Sequence, residues 1–514
     1  MKHVRPPRLR KTLRRIELEN GRQRLKKTLG PLQLIMLGVG STIGAGIYVM
    51  TGTAAANYAG PSILLSFVIA GIACLFTALS YAELASVMPV AGSAYTYAYV
   101  SMGEGWAWAV GWLLLMEYGI SCAGVAAGFS GYAASLLDDL GVHVPSALHT
   151  TTLAVTHQGA GRQLAGYWQC DLLGALSIAV VTALLIMGVR ESFKINSVIV
   201  ALKVGVLAVF VALGVWQMHS AYWTPFIPAY QGGFRYGVPG IFRAASIIFF
   251  AYVGFEAVST AAAEAKNPRR DIPVGIVLSL VICTVLYMVV AAVLIGVVPW
   301  QTLNVADPLA IAVNAMHQPW LALFVKIGAV VGLCSVLMGL LYAQSRIFFA
   351  MAEDGLLFSL FSRLHRRYQT PWIGSIMLGL VVALATAVLP IDIIGDLVSL
   401  GTATAFGIVC FTVIWMRNTA PEYKRAFVVP FGGFVLYGVW VGYVPLLGMV
   451  FCGFMVAPLC WDMVLAFIGG DPLPALLLAA YAVCGWVCYR FYGRHHSRLG
   501  QEQRAALASA PLSH

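Results

Sequence analysis

Apolar residues run along this chain in uninterrupted blocks of about twenty, not at alternate or heptad positions. A helix of about 20 residues crosses a hydrocarbon core of about 30 Å. Blocks of that kind stand at 31–55, 62–88, 106–137, 172–189, 195–216, 240–263, 273–298, 320–350, 372–390, 394–416, 435–458 and 473–492, with short polar stretches between them. The pattern predicts an all-α integral membrane protein with twelve transmembrane helices. A β-barrel would instead alternate over segments of roughly ten residues. The longest predicted loop, 138–171, contains Thr, His and Gly without metal-ligand spacing and reads as a connector.

Composition agrees with this reading and narrows it. Of 514 residues 60% are apolar and 10% charged, against about 25% charged in soluble domains. Mean hydropathy is +0.82. A soluble enzyme is excluded, and an aromatic share of 12% excludes disorder. The net charge of +11 suggests nucleic acid, but 11 of the 32 Lys and Arg fall in the first 27 residues and most others flank apolar blocks. That is the signature of membrane orientation. Alternate loops carry 27 on the N-terminal side and three (Arg162, Arg235, Arg243) on the other, with Lys203 and Lys326 inside spans. The asymmetry puts both termini in the cytoplasm. No cleavage site follows the basic N-terminus, so the first span is retained. The basic segment 1–30 is expected to lie on anionic headgroups, which makes the lipid bilayer its partner and not nucleic acid.

Two blocks are interrupted. The first contains Gly38-Val-Gly-Ser-Thr-Ile-Gly-Ala-Gly46, four glycines in nine residues, and glycine weakens a helix. Gly40 and Gly44 are also spaced for close helix packing. A dinucleotide fingerprint would need glycine at 43 and finds Ile43, and a phosphate loop would need a lysine. The sixth block contains Phe249-Phe-Ala-Tyr-Val-Gly-Phe-Glu256. At about 1.5 Å per residue, both interruptions lie near the membrane midplane, roughly 14–22 Å and 17–21 Å from the respective helix starts. Midplane breaks five spans apart, reached from opposite sides, are the mark of an inverted-repeat secondary transporter. Broken helices expose N–H groups at one end and C=O groups at the other. The carboxylate of an amino acid would sit on N–H groups around Ser41 to Gly46 and its ammonium on carbonyls near Phe250 to Val253.

Ionisable residues in the membrane core are costly and are functional candidates. Glu117 lies about 16 Å into span 3 and Lys203 about 12 Å into span 5. Glu117 reads either as a structural carboxylate or as part of the side-chain pocket. Lys203 either snorkels to the cytoplasmic face or donates to carbonyls of the span 1 break and span 8. In the second case it fills the place of a sodium ion and is the candidate proton carrier. Glu83, Glu256 and Arg346, the last with Glu353 and Asp354, are candidate gate charges. No histidine lies near the midplane, so no histidine relay is expected, and no metal site or cofactor either.

The segments GVGSTIGAGIY (38–48), SYAELASVMPVAGSAY (80–95), FFAYVGFEAVSTAAAEAKNPRRDIPVGI (249–276) and QSRIFFAMAEDGL (344–356) resemble the amino acid–polyamine–organocation superfamily, in particular the bacterial type of its cationic amino acid transporter branch. The resemblance extends from about 30 to 492. It implies a leucine-transporter-like 5+5 arrangement, with spans 1–5 (31–216) and 6–10 (240–416) as inverted repeats. Spans 11–12 (435–492) and the tail 493–514 stand outside them. It also implies a cell (inner) membrane location. By the same analogy the carboxylate is held around Thr42, Ile43, Gly44, Ala45 and Gly46, the ammonium and side chain meet Phe250, Val253 and Glu117, and Lys203 couples the proton.

The expected activity is import of a small neutral or cationic L-amino acid by proton symport, with exchange lacking net proton flux as the alternative. A transporter subunit or sensor joined to a partner, a small membrane protein for example, through Cys170 is a third reading. A membrane enzyme is the weakest reading, since the chain has no H-E-x-x-H, no G-x-S-x-G and no paired midplane aspartates. Most of the ten cysteines lie in spans. Cys170 and Cys460 are expected at outer loops, as free thiols in preference to a pair.

Overall fold

The computed structural model describes residues 29–88, 93–158, 161–188, 193–423, 425–470 and 472–509. Of the basic segment, residues 1–28 lie outside these. The described chain is built of helices, with two short antiparallel hairpins. Nine helices are long and apolar enough to cross a membrane among the described residues, and three shorter apolar ones span Pro31–Thr42, Leu172–Ile186 and Trp372–Val388. The protein is therefore a multi-pass membrane protein.

In chain order the elements that matter below are α1 (Pro31–Thr42), α2 (46–59, mostly π-helical), α3 (Ile63–Val87), α4 (Ser93–Ser101), α5 (Glu104–Asp139), α6 (Leu172–Ile186) and α7 (Phe193–Gly214). After these come α8 (Gly237–Ile248), α9 (Ala257–Thr260), α10 (Pro268–Val297), α11 (Pro308–Ala315), α12 (Pro319–Glu353), α13 (Trp372–Val388), α14 (Ile391–Thr419), α15 (Tyr443–Ile468), α16 (Leu473–Val487) and α17 (Arg498–Ser509). The apolar block 31–55 is thus two helical pieces, α1 and α2, and the block 240–263 is α8 and α9 joined by a 3₁₀ turn at Phe249–Tyr252. Around these broken helices stand α3 and α10, which pack together, and α5, which packs on both α12 and α14.

The connector carries structure of its own, and three expectations are corrected. The connector 138–171 contains a hairpin, β1 (Leu153–Gln158) with β2 (Gly161–Gly166). The predicted span 435–458 is displaced, because the apolar stretch at its start forms β3 (Gly433–Leu436) and β4 (Val439–Gly442), and helix begins only at Tyr443. Cys460 consequently lies inside α15, not in a loop. Arg243, counted with the loop charges, is fully buried within α8. All ten cysteines are free.

The loop before α11 and α11 itself lie over the ends of α5 and α2. The backbone N–H of Leu309 donates to the Tyr132 hydroxyl (3.2 Å), which donates to the carbonyl of Tyr48 (2.8 Å). A Cβ on Gly131 would stand 2.8 Å from that of Ala306, so glycine permits this close approach. Lys326 of α12 pairs with Asp139 of α5 at 2.5 Å. Beside them burial pushes the Asp307 carboxyl up from 3.8 to about 6, against the pull of Ser135 and Lys326. An acid with a raised folded value binds its proton more tightly folded than unfolded. Its contribution to stability is therefore full below about pH 4 and is lost as pH rises through about 6. The purified protein's unfolding midpoint should rise between pH 7 and pH 5, and Asp307→Asn should flatten that rise. An identical pH profile in the variant would count against this assignment.

Candidate substrate site

Why α1 stops at Thr42 is visible in its side chains. Ser41 and Thr42 donate their hydroxyls back to the carbonyls of Leu37 (2.8 Å) and Gly38 (2.7 Å), a local bond that competes with helical continuation. Ile43 then turns to extended backbone (ψ 94°). The carbonyls released by the turn are taken up by side chains from other helices. Lys203 of α7 donates from Nζ to the carbonyls of Gly40 (3.0 Å) and Ile43 (3.3 Å). Tyr287 of α10 donates its hydroxyl to the carbonyl of Thr42 (2.6 Å). Gly332 of α12 gives the lysine stem room, since a Cβ there would meet it at 3.1 Å.

The second break is capped from within. After the 3₁₀ turn, Val253 is extended and Gly254 takes φ +122°, a conformation that favours glycine. Glu256 closes this turn: Oε2 accepts the Gly254 N–H (2.9 Å) and Oε1 accepts the Tyr118 hydroxyl of α5 (3.1 Å). The two breaks touch. A Cβ on Gly46 would lie 2.2 Å from Cα of Ala251, and one on Gly254 would lie 2.6 Å from the Ser41 carbonyl.

Between the breaks is a small cavity of about 10 Å³, room for about one water. Ser41, Thr42, Gly44, Ala45 and Gly46 line one side, Phe250 and Val253 another, Ser121 and Val125 of α5 a third, and Val336 and Leu340 of α12 the last. Thr42, Gly44, Ala45, Gly46, Phe250 and Val253 of the expected set therefore come together here. Ile43 contributes its carbonyl to Lys203 and not a wall. Glu117 lies one helical turn from Ser121, fully buried and outside the lining. The Thr402 hydroxyl of α14 is the polar partner beside the Glu117 carboxylate, while the Ser121 hydroxyl and Gln344 Oε1 have no hydrogen-bond partner among the described residues. Of these groups only Ser121 belongs to the cavity lining, and buried polar atoms ordinarily find partners.

Of the expected gate charges, Glu83 is buried and accepts Arg417 Nε (2.7 Å) and the Val429 N–H (2.8 Å), with Arg425 3.4 Å away. It ties α3 to the end of α14. Arg346 is exposed and lies over the Tyr342 ring at 5.0 Å. Asp354 accepts the Tyr95 hydroxyl at 2.7 Å. Ser121, Val125, Val336 and Leu340 were not anticipated, because apolar and hydroxyl residues inside spans carry no signal of which face meets a cavity. The chain shows no group of three or more metal-ligating side chains among the described residues.

A family model described as amino acid permease matches residues 29–484. The chain belongs to the amino acid permease family. Similar curated permeases and transporters include the branched-chain amino acid permease BcaP of Bacillus subtilis, 38% identical over 487 residues, 95% of this chain and 97% of that one. The methylthioribose transporter of the same organism is 37% identical over 96% of this chain and 99% of its own. The vacuolar cationic amino acid transporter 4 of Arabidopsis thaliana is 38% identical over 78% of this chain and 65% of its own. These relatives are named as permeases or transporters, and this permease is a transport protein, not an enzyme.

The contact between the breaks makes its glycines unequal. At Gly46 an added methyl meets backbone at 2.2 Å, whereas at Gly44 it meets Val336 methyls at 3.2 and 3.3 Å. Gly46→Ala should weaken substrate binding by about tenfold or more, equivalent to about 1.4 kcal/mol, and more than Gly44→Ala does. Isothermal titration of the two purified variants checks the order, and a milder effect at Gly46 would contradict the packing described.

Proposed function

We propose that this permease imports an L-amino acid by proton symport through alternating access. In this reading the fold is the twelve-span 5+5 inverted repeat, residues 31–216 against 240–416. Residues 435–492 stand outside the repeats, and both termini, 1–30 and 493–514, are cytoplasmic. The observation that carries the proposal is the pair of broken helices in direct contact around a small cavity, with a buried ammonium on the carbonyls of one break. A helix that restarts at 46 presents N–H groups without helical partners, and one that ends near Tyr252 presents carbonyls. Those poles suit a carboxylate and an ammonium about one Cα apart.

The walls that meet the side chain are Val125, Val336, Leu340 and Phe250, which supports a small neutral substrate. A cationic side chain would have to reach Glu117 past Ser121. The methylthioribose transporter, as similar to this chain as the amino acid carriers are, shows that overall identity does not choose the solute; the zwitterion reading rests on the two helix poles.

Lys203 is the proposed proton carrier. Its charge holds the carbonyls of Gly40 and Ile43, so loss of the proton weakens the tie between α7 and the end of α1 and lets the break relax. Proton movement and reshaping of the site are in this way one event. In proteoliposomes with an inward proton gradient, the wild type should concentrate labelled alanine and lose that ability with a protonophore. Lys203→Met should fail to concentrate alanine while still exchanging it with preloaded alanine. Gradient-driven accumulation by the variant would refute the role of Lys203. Uptake by the wild type only when alanine is preloaded would make this permease an exchanger.

A further inference from the structure

The buried Arg243 has no part in the substrate cavity, yet it is among the largest fully buried side chains of the molecule. Its Nη2 donates to Asp396 Oδ1 of α14 (2.8 Å) and to Asp462 Oδ2 of α15 (2.8 Å), and its Nε donates to the same Asp462 oxygen (3.1 Å). The guanidinium carbon lies 4.9 Å from the ring centre of Tyr58 at the end of α2. One turn from Asp396, Asp392 accepts the Asn57 amide of α2 at 3.3 Å, and Asn57 also donates to Asn304 at 3.2 Å. α14 therefore holds, through two aspartates spaced four apart, both half-helices on the face opposite the start of α1: α2 through Asn57, and α8 through Arg243.

The placement is costly to keep and costly to lose. Each charge removed from water carries a desolvation penalty of several kcal/mol, and removing one partner of such a pair leaves the other uncompensated. A guanidinium met by carboxylates from two different helices fixes α8 in one position against both. α15 takes part although it lies outside the two repeats of the proposed fold.

We propose that Arg243 with Asp396 and Asp462 is the lock of the outer gate. The lock holds α8 closed over the cavity, and opening to the outside requires α8 to leave it. The inference rests on the transport reading for the direction of opening, but on neither the substrate nor the proton. α15 is then a working part of the gate through Asp462, and not a peripheral helix.

The test is access to the cavity from outside the cell. Val125→Cys is introduced into a background with Cys170 and Cys460 changed to serine, and its reaction with a membrane-impermeant maleimide is followed with no substrate and no proton gradient. Arg243→Gln and Asp462→Asn should each raise the labelling rate by about tenfold, the population change that corresponds to about 1.4 kcal/mol. Gel filtration reports whether each variant is folded. Asp462→Asn retains the Asp396 pair and alone decides the matter if Arg243→Gln does not fold. Labelling of folded Asp462→Asn at the parent rate would overturn the proposal. Failure here leaves the uptake experiment above unaffected, because that experiment reads proton coupling and not external access.

Discussion

A helix broken inside a membrane leaves backbone carbonyls and N–H groups where no bulk water can reach them, and every such group must find a partner within the protein. This constraint organises the centre of the molecule. Lys203 answers it for Gly40 and Ile43, Tyr287 for Thr42, and Tyr132 for Tyr48. Glu256 answers it for Gly254. Lys203, Tyr287 and Tyr132 come from three surrounding helices, α7, α10 and α5, and Glu256 reaches to Tyr118 of α5. Satisfying the breaks therefore also fixes how the broken helices sit among their neighbours.

In the proposed transport cycle the same economy makes the site responsive. A break held by regular helical bonding would be rigid. Here a single amine, a few hydroxyls and one carboxylate hold it, and each can be released without unfolding a helix. The two breaks touch at Gly46 with Ala251 and at Gly254 with Ser41, so a shift at one is felt at the other. Farther out, Asn57 and Arg243 tie the half-helices to α14. The candidate site and these ties to α14 lie on the same pair of short helices, α2 and α8.

Much of this was legible in the residues. Uninterrupted apolar length marks spans, and glycine with a carboxylate inside such length marks a break, because both signals are local. Lys203 stood out since a charge in the hydrocarbon region has few harmless explanations. Arg243 lies close to the start of its block, where a charge looks like a loop residue, and only tertiary packing reveals the two aspartates, 153 and 219 residues away, that bury it. The start of α15 was misplaced because Phe434, Val435 and Leu436 are as apolar as a span, though they form a hairpin strand. The cavity walls at Val125, Val336 and Leu340 were invisible for a related reason. In a helix apolar on all sides, periodicity does not say which face meets the site.

The central claim is that the two helix poles receive the two charged ends of an amino acid. The most direct measurement is the thermal unfolding midpoint of the purified protein with alanine, alaninamide or N-acetylalanine. The last two each lack one of the charges and keep the side chain. Alanine should raise the midpoint, and either derivative should need about tenfold or more concentration to match it, a loss of at least about 1.4 kcal/mol. Equal stabilisation by alaninamide or by N-acetylalanine would contradict the account.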